Sequence, residues 1–339
     1  MKKSMITAVS CLAFLGTMQL AQANDEVLGV KCESPPPLHC AAGECATKIV
    51  ERGNTKDALT GRDYFLDFPC DLKPDEKIVF ILNIHGAGSR GNWQRHYFPA
   101  MDYKDKYRLV VATPTAAGPE KGVRRWTAED DDAHLQNITN QVVEAFGAKS
   151  IKAFWLAGHS QGGMTSRRIV CSDFFANKVD GFMSLSGGRI GQAQIVAGFG
   201  PPSADGKPPS PRQRQYPPEV LPSCDVSHIY TTGAYEIEVL PKTSPWAEKY
   251  SCDARVEAEI VDTKAGLVYD SNRSGYPVWG REARPGTAKS YVYPNCKGGR
   301  VVADVVRFDK GHTEGLEPLV TEEIVKLMVS AKGGKISGD

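Results

Sequence analysis

The stretch KAFWLAGHSQGGM, Lys152 to Met164, decides the fold. Its first half is an uninterrupted apolar run, the signature of a strand covered on both faces of a sheet. Its second half holds Gly158-His159-Ser160-Gln161-Gly162, a G-x-S-x-G string, and then a segment with few helix breakers as far as about Cys171. With 33 glycines in 339 residues, the string alone is weak. The order strand, tight turn, helix is what gives it meaning, because that order lifts a serine hydroxyl clear of the strand end. Gly158 and Gly162 fit this reading, since side chains at those positions would collide in so tight a turn.

Working outward, strand and helix patterns alternate. Arg62 to Pro69 alternates apolar and polar residues, as a strand near a sheet edge does. Ile78 to Ile84 (IVFILNI) and Tyr107 to Thr113 (YRLVVAT) are continuous apolar runs, with room between them for a short helix over Trp93 to Asp105. Asp130 to Phe146 is the clearest helix, with Leu135, Ile138, Val142, Val143 and Phe146 on one stripe and Asp130 to Asp132 at its positive end. Further strands are expected at Ile151 to Ala157, Val179 to Leu185, Ser227 to Thr232 and Val301 to Phe308. A final helix is expected at Leu319 to Ala331. The pattern predicts an α/β fold with a mostly parallel sheet and helices on both faces. Two irregular segments interrupt it: the Pro-rich Gly198 to Pro222, and Pro241 to Lys297, with room for an extra strand near Ala254 to Val261. Residues 49–331 are expected to form one domain, with 332–339 a frayed tail.

The ends carry other information. Lys2 and Lys3, the largely apolar Met5 to Leu20 and the small-x-small site Ala21-Gln22-Ala23 read as a signal peptide over residues 1–23, cleaved after Ala23. The expectation is therefore a secreted or periplasmic protein. Residues 24–48 form a Cys- and Pro-rich extension. Cleavage would remove Cys11 and leave eight cysteines, Cys32, Cys40, Cys45, Cys70, Cys171, Cys224, Cys252 and Cys296, an even number suited to pairing outside the cytosol. Zinc at His39, Cys40 and Cys45 is the weaker reading, since no CxxC pair or His-x(3–5)-His run accompanies them. The formal net charge of +1, from 41 basic and 40 acidic residues, gives no footprint for nucleic acid, and no later run is long enough to span a membrane. Neither a cofactor nor a metal is called for.

A serine hydroxyl needs a base. Of seven histidines, His312 follows the last expected strand, in Lys310-Gly311-His312-Thr313. His85, His159, His39, His96, His134 and His228 lie in motifs, in the Cys-rich arm or in regular segments. The acid should follow the preceding strand, where Gly233-Ala234-Tyr235-Glu236 offers Glu236. Asp225 comes early for that role, and Asp304 and Asp309 stand close to His312 in sequence. Acyl transfer also needs N–H donors for an oxyanion. One is expected from the backbone of Gln161, at the start of the helix. The other is expected from Ala87 in His85-Gly86-Ala87-Gly88-Ser89, where glycines let backbone approach a substrate. Trp126, Trp93 and His85 are the candidate substrate contacts.

With these motifs in order, the chain resembles the α/β-hydrolase fold. Within it, it is similar to the exported esterase group that contains feruloyl esterases and polyhydroxybutyrate depolymerases. The resemblance runs from about Arg62 to Ala331. It is carried by LNIHGAGS, RRWTAEDDDAHLQNI, WLAGHSQGGM, the Gly233 to Glu236 loop, FDKGHTEG, and Trp246-Ala247 with Cys252 and Cys296. It implies hydrolysis of carboxylic esters through an acyl-enzyme on Ser160, with His312 as base and Glu236 as acid. It also implies disulfides Cys171–Cys224 and Cys252–Cys296, with Cys32, Cys40, Cys45 and Cys70 pairing among themselves. The chain departs from the group in having Glu for the usual Asp, His312-Thr313-Glu314-Gly315 in place of H-x-W-P, the Cys-rich arm and the Pro-rich insert. A peptidase with the same three residues, or a non-catalytic binding protein on this fold, is the alternative.

Overall fold

The computed structural model describes residues 25–37, 51–118, 123–189, 220–237, 240–266, 285–308, 310–312 and 314–339. The residues expected to form the signal peptide lie outside these ranges. So do His39, Cys40 and Cys45, most of the 198–222 insert, Asp309 and Thr313.

Strand β5 (Ile78–Ile84) is buried at every residue, which is what its unbroken apolar sequence asks for. It lies between β6 (Leu109–Pro114) and β7 (Ile151–His159), parallel to both. Beyond β7 the parallel set continues through β8 (Gly181–Leu185), β9 (Ser227–Gly233) and β12 (Val302–Arg307). On the other side, β4 (Asp63–Asp67) runs antiparallel to β6, and β3 (Asn54–Lys56) closes that edge antiparallel to β4. Two strands of the late insertion, β10 (Val256–Asp262) and β11 (Gly286–Tyr293), extend the opposite edge antiparallel to β12. A two-residue ladder of β1 (Glu26–Val27) with β2 (Val30–Lys31) stands apart. With the insertion set aside, the order β3-β4-β6-β5-β7-β8-β9-β12 is first, second, fourth, third, then fifth to eighth in chain order. That is the order of the α/β-hydrolase sheet, here ten strands wide. The sequence foresaw the core strands and β10, while β3 and β11 went unread because both are short of apolar residues.

The pleat divides the core in two. Ile78, Phe80, Leu82 and Ile84 point into one cluster with Phe154 and Leu156, while Val79 and Ile81 join Ala153, Trp155 and Ala157 in the other. The first cluster is covered by α3 (Ala128–Phe146), α4 (Gln161–Ile169) and α5 (Pro245–Lys249). The second is covered by α1 (Gly91–Tyr97) and α6 (Pro318–Ser330), with α2 (Lys104–Tyr107) packed beside α6. Helix α3 begins where Thr127 Oγ1 accepts the Asp130 amide at 3.1 Å, and Glu129, Asp130 and Asp131 occupy its first turn, where negative charge is favoured. Its expected stripe is inward: Leu135, Ile138 and Val142 are buried, and Val143 and Phe146 pack against them.

Among the described residues, three cysteine pairs hold the periphery: Cys32–Cys70, Cys171–Cys224 and Cys252–Cys296. The last residues do not fray as the sequence suggested. Gly334 N donates to Lys152 O at 2.9 Å, Lys335 N to Asp180 Oδ1 at 3.2 Å and Lys335 Nζ to Ala176 O at 2.8 Å. A glycine-rich end with a modest charge density leaves no sequence signal for such docking. Among the described residues, no helix is long and apolar enough to cross a membrane.

Candidate active site

Ser160 stands between β7 and α4 with φ 50° and ψ −117°, a region that non-glycine residues enter only under constraint, at a cost of about 1–3 kcal/mol. The constraint is visible on both sides. A side chain at Gly158 would come within 2.2 Å of the Gly162 carbonyl carbon, and one at Gly162 within 2.1 Å of Ile84 O. The two glycines are thus required by contact, as the sequence implied. Ser160 N donates to Leu185 O at 2.8 Å, tying the strained turn to the end of β8. Gly187, just beyond, is equally close: a Cβ there would lie 2.6 Å from Ser160 O.

His312 and Glu236 meet across the sheet top. His312 Nδ1 and Glu236 Oε2 are 2.5 Å apart. The other carboxylate oxygen, Oε1, accepts from Ser186 Oγ at 2.6 Å, from Gly233 N at 3.1 Å and from Thr232 Oγ1 at 3.4 Å. Burial acts to raise the Glu236 pKa, but the His312 imidazole and these donors outweigh it and hold the carboxyl below its usual range. Glu236 sits in a one-turn 3-10 segment, Ala234–Glu236. The segment reaches His312 because the two loops touch: a Cβ at Gly233 would lie 2.3 Å from Lys310 O.

The residues on either side of His312 carry buried charge. Lys310 Nζ lies 2.8 Å from Glu314 Oε1 and 3.1 Å from Glu317 Oε1. Arg307 Nε donates to Glu317 Oε2 at 2.9 Å, while its two terminal nitrogens donate to Glu314 O at 2.9 Å and Gly315 O at 2.8 Å. All four side chains are at most 3% exposed. Burial alone would raise the Glu317 pKa, yet Arg307 and Lys310 keep it low, whereas Glu314 is raised, burial outweighing Lys310. The insertion braces the same loop from outside. Lys310 Nζ also donates to Pro285 O at 3.3 Å, and Asp262 Oδ2 accepts the Leu319 and Val320 amides at the start of α6.

The Gly86–Ser89 loop lies against the serine. A Cβ at Gly86 would be 3.3 Å from Ser160 Cβ, and Ala87 is half-buried there. The structure places His85 and Trp126, two of the expected substrate contacts, in the interior. His85 is fully buried. Its Nε2 accepts the Ala116 amide at 2.9 Å, so Nδ1 carries the proton and donates to Gly86 O at 2.7 Å. Burial, the largest influence, pushes its pKa down to about 3, so it is neutral. Trp126, 4% exposed, packs against His85 with the rings tilted by 43° and their centroids 4.7 Å apart, and donates its indole N–H to His85 O at 2.7 Å. Both are turned inward to shape the loop, out of a substrate's reach. Neighbouring apolar strands draw them inside, a pull no local pattern records. Trp93 alone of the three is half-exposed, with the Arg90 guanidinium 5.9 Å from its ring centroid.

Gln161 has a further part. Its side-chain oxygen accepts from Trp126 N at 3.0 Å and its amide donates to Trp126 O at 3.1 Å, so α4 is bolted to the segment that supports His85. Sequence reasoning valued Gln161 for its backbone alone. Ser186 also went unread. It directly follows β8 with φ 53°, and nothing local marks it as a partner of Glu236.

No protein-family model matches the chain, and no curated protein matches it. Among solved structures it is similar to acetyl xylan esterase from Aspergillus awamori, with 13% identity and a TM-score of 0.43, over 80% of this chain and 96% of that one. It is similar to FphF, a fluorophosphonate-binding serine hydrolase of Staphylococcus aureus, with 18% identity and a TM-score of 0.29, over 39% of this chain and 55% of that one. It is also similar to a soluble variant of monoglyceride lipase from Saccharomyces cerevisiae, with 19% identity and a TM-score of 0.32, over 44% of this chain and 47% of that one. The chain spans about half the length of the last two. The strand order and the Ser160 turn carry the fold without these likenesses.

Proposed function

We propose that this chain is an exported serine hydrolase that cleaves carboxylic esters through an acyl-enzyme. The observation that supports the reading is Ser160 held in a strained turn, together with a Glu236–His312 pair whose histidine carbonyl contacts the residue before the serine, His159. With Nδ1 committed to Glu236, Nε2 of His312 is the nitrogen that takes the Ser160 proton. The freed Oγ bonds to the ester carbonyl carbon, and the carbonyl π electrons move onto oxygen. The Ala87 and Gln161 backbone N–H groups hold that oxyanion. Collapse expels the alcohol, which takes the proton from His312. Water then adds to the acyl-enzyme with His312 as base, and the carboxylic acid leaves as Ser160 regains its proton. Glu236 stays ionised throughout and stabilises the imidazolium.

Trp93 contacts the bound ester at the mouth of the Gly86–Ser89 loop. The esters in view are those of the group the sequence resembles, hydroxycinnamate esters and short polyesters. Export is supported by the signal-like residues 1–23 and by three cysteine pairs, which persist in oxidising compartments. Residues 49–331 act as one catalytic domain.

Labelling with a fluorophosphonate probe tests the reaction class. The folded chain is expected to be labelled and Ser160→Ala is not. An unlabelled wild type would leave a binding protein on a hydrolase scaffold. Methyl ferulate, short polyesters, nitrophenyl esters and peptides then sort the substrate, and faster cleavage of peptides would move the protein to the peptidases.

A further inference from the structure

His159 sits where the G-x-S-x-G pattern admits any residue, yet its side chain reaches the base loop. His159 Nε2 lies 2.8 Å from His312 O, and Tyr97 Oη donates to the same oxygen at 2.7 Å. A carbonyl can only accept, so His159 carries a proton on Nε2. The three rings are packed in a row, with centroids 4.2 Å apart for Tyr97 and His159 and 4.7 Å apart for His159 and His312. Tyr97 closes the contact in return, its own carbonyl accepting the Leu316 amide at 2.9 Å. Gly86 walls His159 from the other side, since a Cβ there would lie 2.7 Å from His159 Nδ1.

We propose that His159 and Tyr97 are positioning residues that grip the His312 carbonyl from two sides and so aim its imidazole at Ser160. The proposal rests on the serine-hydrolase reading above. The His312 ring is then fixed at two points, its Nδ1 by Glu236 and its backbone by this pair. Tyr97 ends the helix that follows the Gly86–Ser89 loop, and His159 ends the nucleophile strand. The grip therefore sets base, nucleophile and oxyanion loop against one another. Both side chains are 1% exposed, so a substrate cannot touch them. Their loss acts on the geometry of proton transfer, where a displacement of about 1 Å costs on the order of 100-fold in rate. It leaves binding alone.

The test uses the full chain with Tyr97→Phe, His159→Leu and His159→Gln. Gln keeps an N–H at nearly the position of Nε2. Readouts are the second-order rate of fluorophosphonate labelling, kcat and KM on nitrophenyl acetate, and amide hydrogen exchange in residues 310–317. Tyr97→Phe is expected to slow labelling and kcat about fivefold, and His159→Leu about tenfold or more, with KM unchanged and faster exchange in the base loop. His159→Gln is expected to recover most of the loss. Tyr97→Phe removes one oxygen and decides the matter if His159→Leu fails to fold. Wild-type labelling rates in the folded variants, or a loss confined to KM, would overturn the grip while leaving the hydrolase reading intact. His159→Gln as slow as His159→Leu would overturn the role of Nε2. A wild type that is never labelled would overturn the hydrolase reading and this proposal with it.

Discussion

Glu236, the proposed acid, needs a different setting from an aspartate, because it is one methylene longer. Here three donors hold Oε1, with Ser186 the closest at 2.6 Å. Ser186 holds a positive φ of 53° to do so, an arrangement that trades stability for site geometry. Ser186→Gly relieves the backbone and removes the hydroxyl. We expect kcat to fall about tenfold while the thermal midpoint holds or rises, checked by steady-state kinetics and calorimetry. Glu236 also links stability to pH. Its folded pKa lies below the ordinary 4.5, so its contribution is complete above 4.5 and is lost as pH falls through the depressed folded value. Thermal midpoints of wild type and Glu236→Gln should therefore differ most near neutrality and converge as pH falls below the ordinary carboxylate range through the depressed folded value. A gap that widens on acidification would contradict this. At neutral pH the same variant should lose activity on the order of 10^4-fold, since the amide cannot stabilise an imidazolium.

The loop that carries His312, the proposed base, is an element flanked by buried charge. Lys310, Arg307, Glu314 and Glu317 balance two against two, and each ion is satisfied by a partner or a backbone carbonyl. Such a set gives little net stability over an apolar replacement of the whole, but breaking it leaves an uncompensated charge. Arg307→Met leaves Glu317 with Lys310 as its remaining cation, shared with Glu314, and releases the carbonyls of Glu314 and Gly315. We expect a loss of about 3–5 kcal/mol in urea unfolding, with activity reduced in whatever folds. An unchanged midpoint would show that the loop is held by the insertion alone. The nucleophile turn is built differently, by contact between backbones. Gly158, Gly162 and Gly187 all lie within 2.6 Å of neighbouring main chain when a Cβ is added, so its precision comes from the absence of side chains.

Across the whole molecule, a sheet of ten strands brings residues 76 positions apart, Glu236 and His312, into one hydrogen bond. The sulfur pairs fasten the periphery of that sheet. Cys171, two residues beyond α4, meets Cys224 just before β9, with Cα atoms 5.5 Å apart and a sequence separation of 53. Replacing both by Ala should cost about 4 kcal/mol on the chain-entropy account, read as a drop in the denaturation midpoint with little change in kcat. A large loss of activity at unchanged stability would instead tie this pair to the site.

The alternation of buried runs with amphipathic segments was legible by itself, because each strand covered on both faces must be apolar throughout. So were Ser160, His312 and Glu236 as candidates, because their loops follow strand ends in a fixed order. What the sequence could not give were contacts whose partners lie far apart in the chain. His159 and Tyr97 on the His312 carbonyl, Ser186 on Glu236, and Trp126 buried under His85 all depend on which loops the sheet brings together. Pattern and spacing record the periodicity of each element. Only the packed sheet decides which side chains share a partner, because a hydrogen bond is set by distance in space and leaves no period in the sequence.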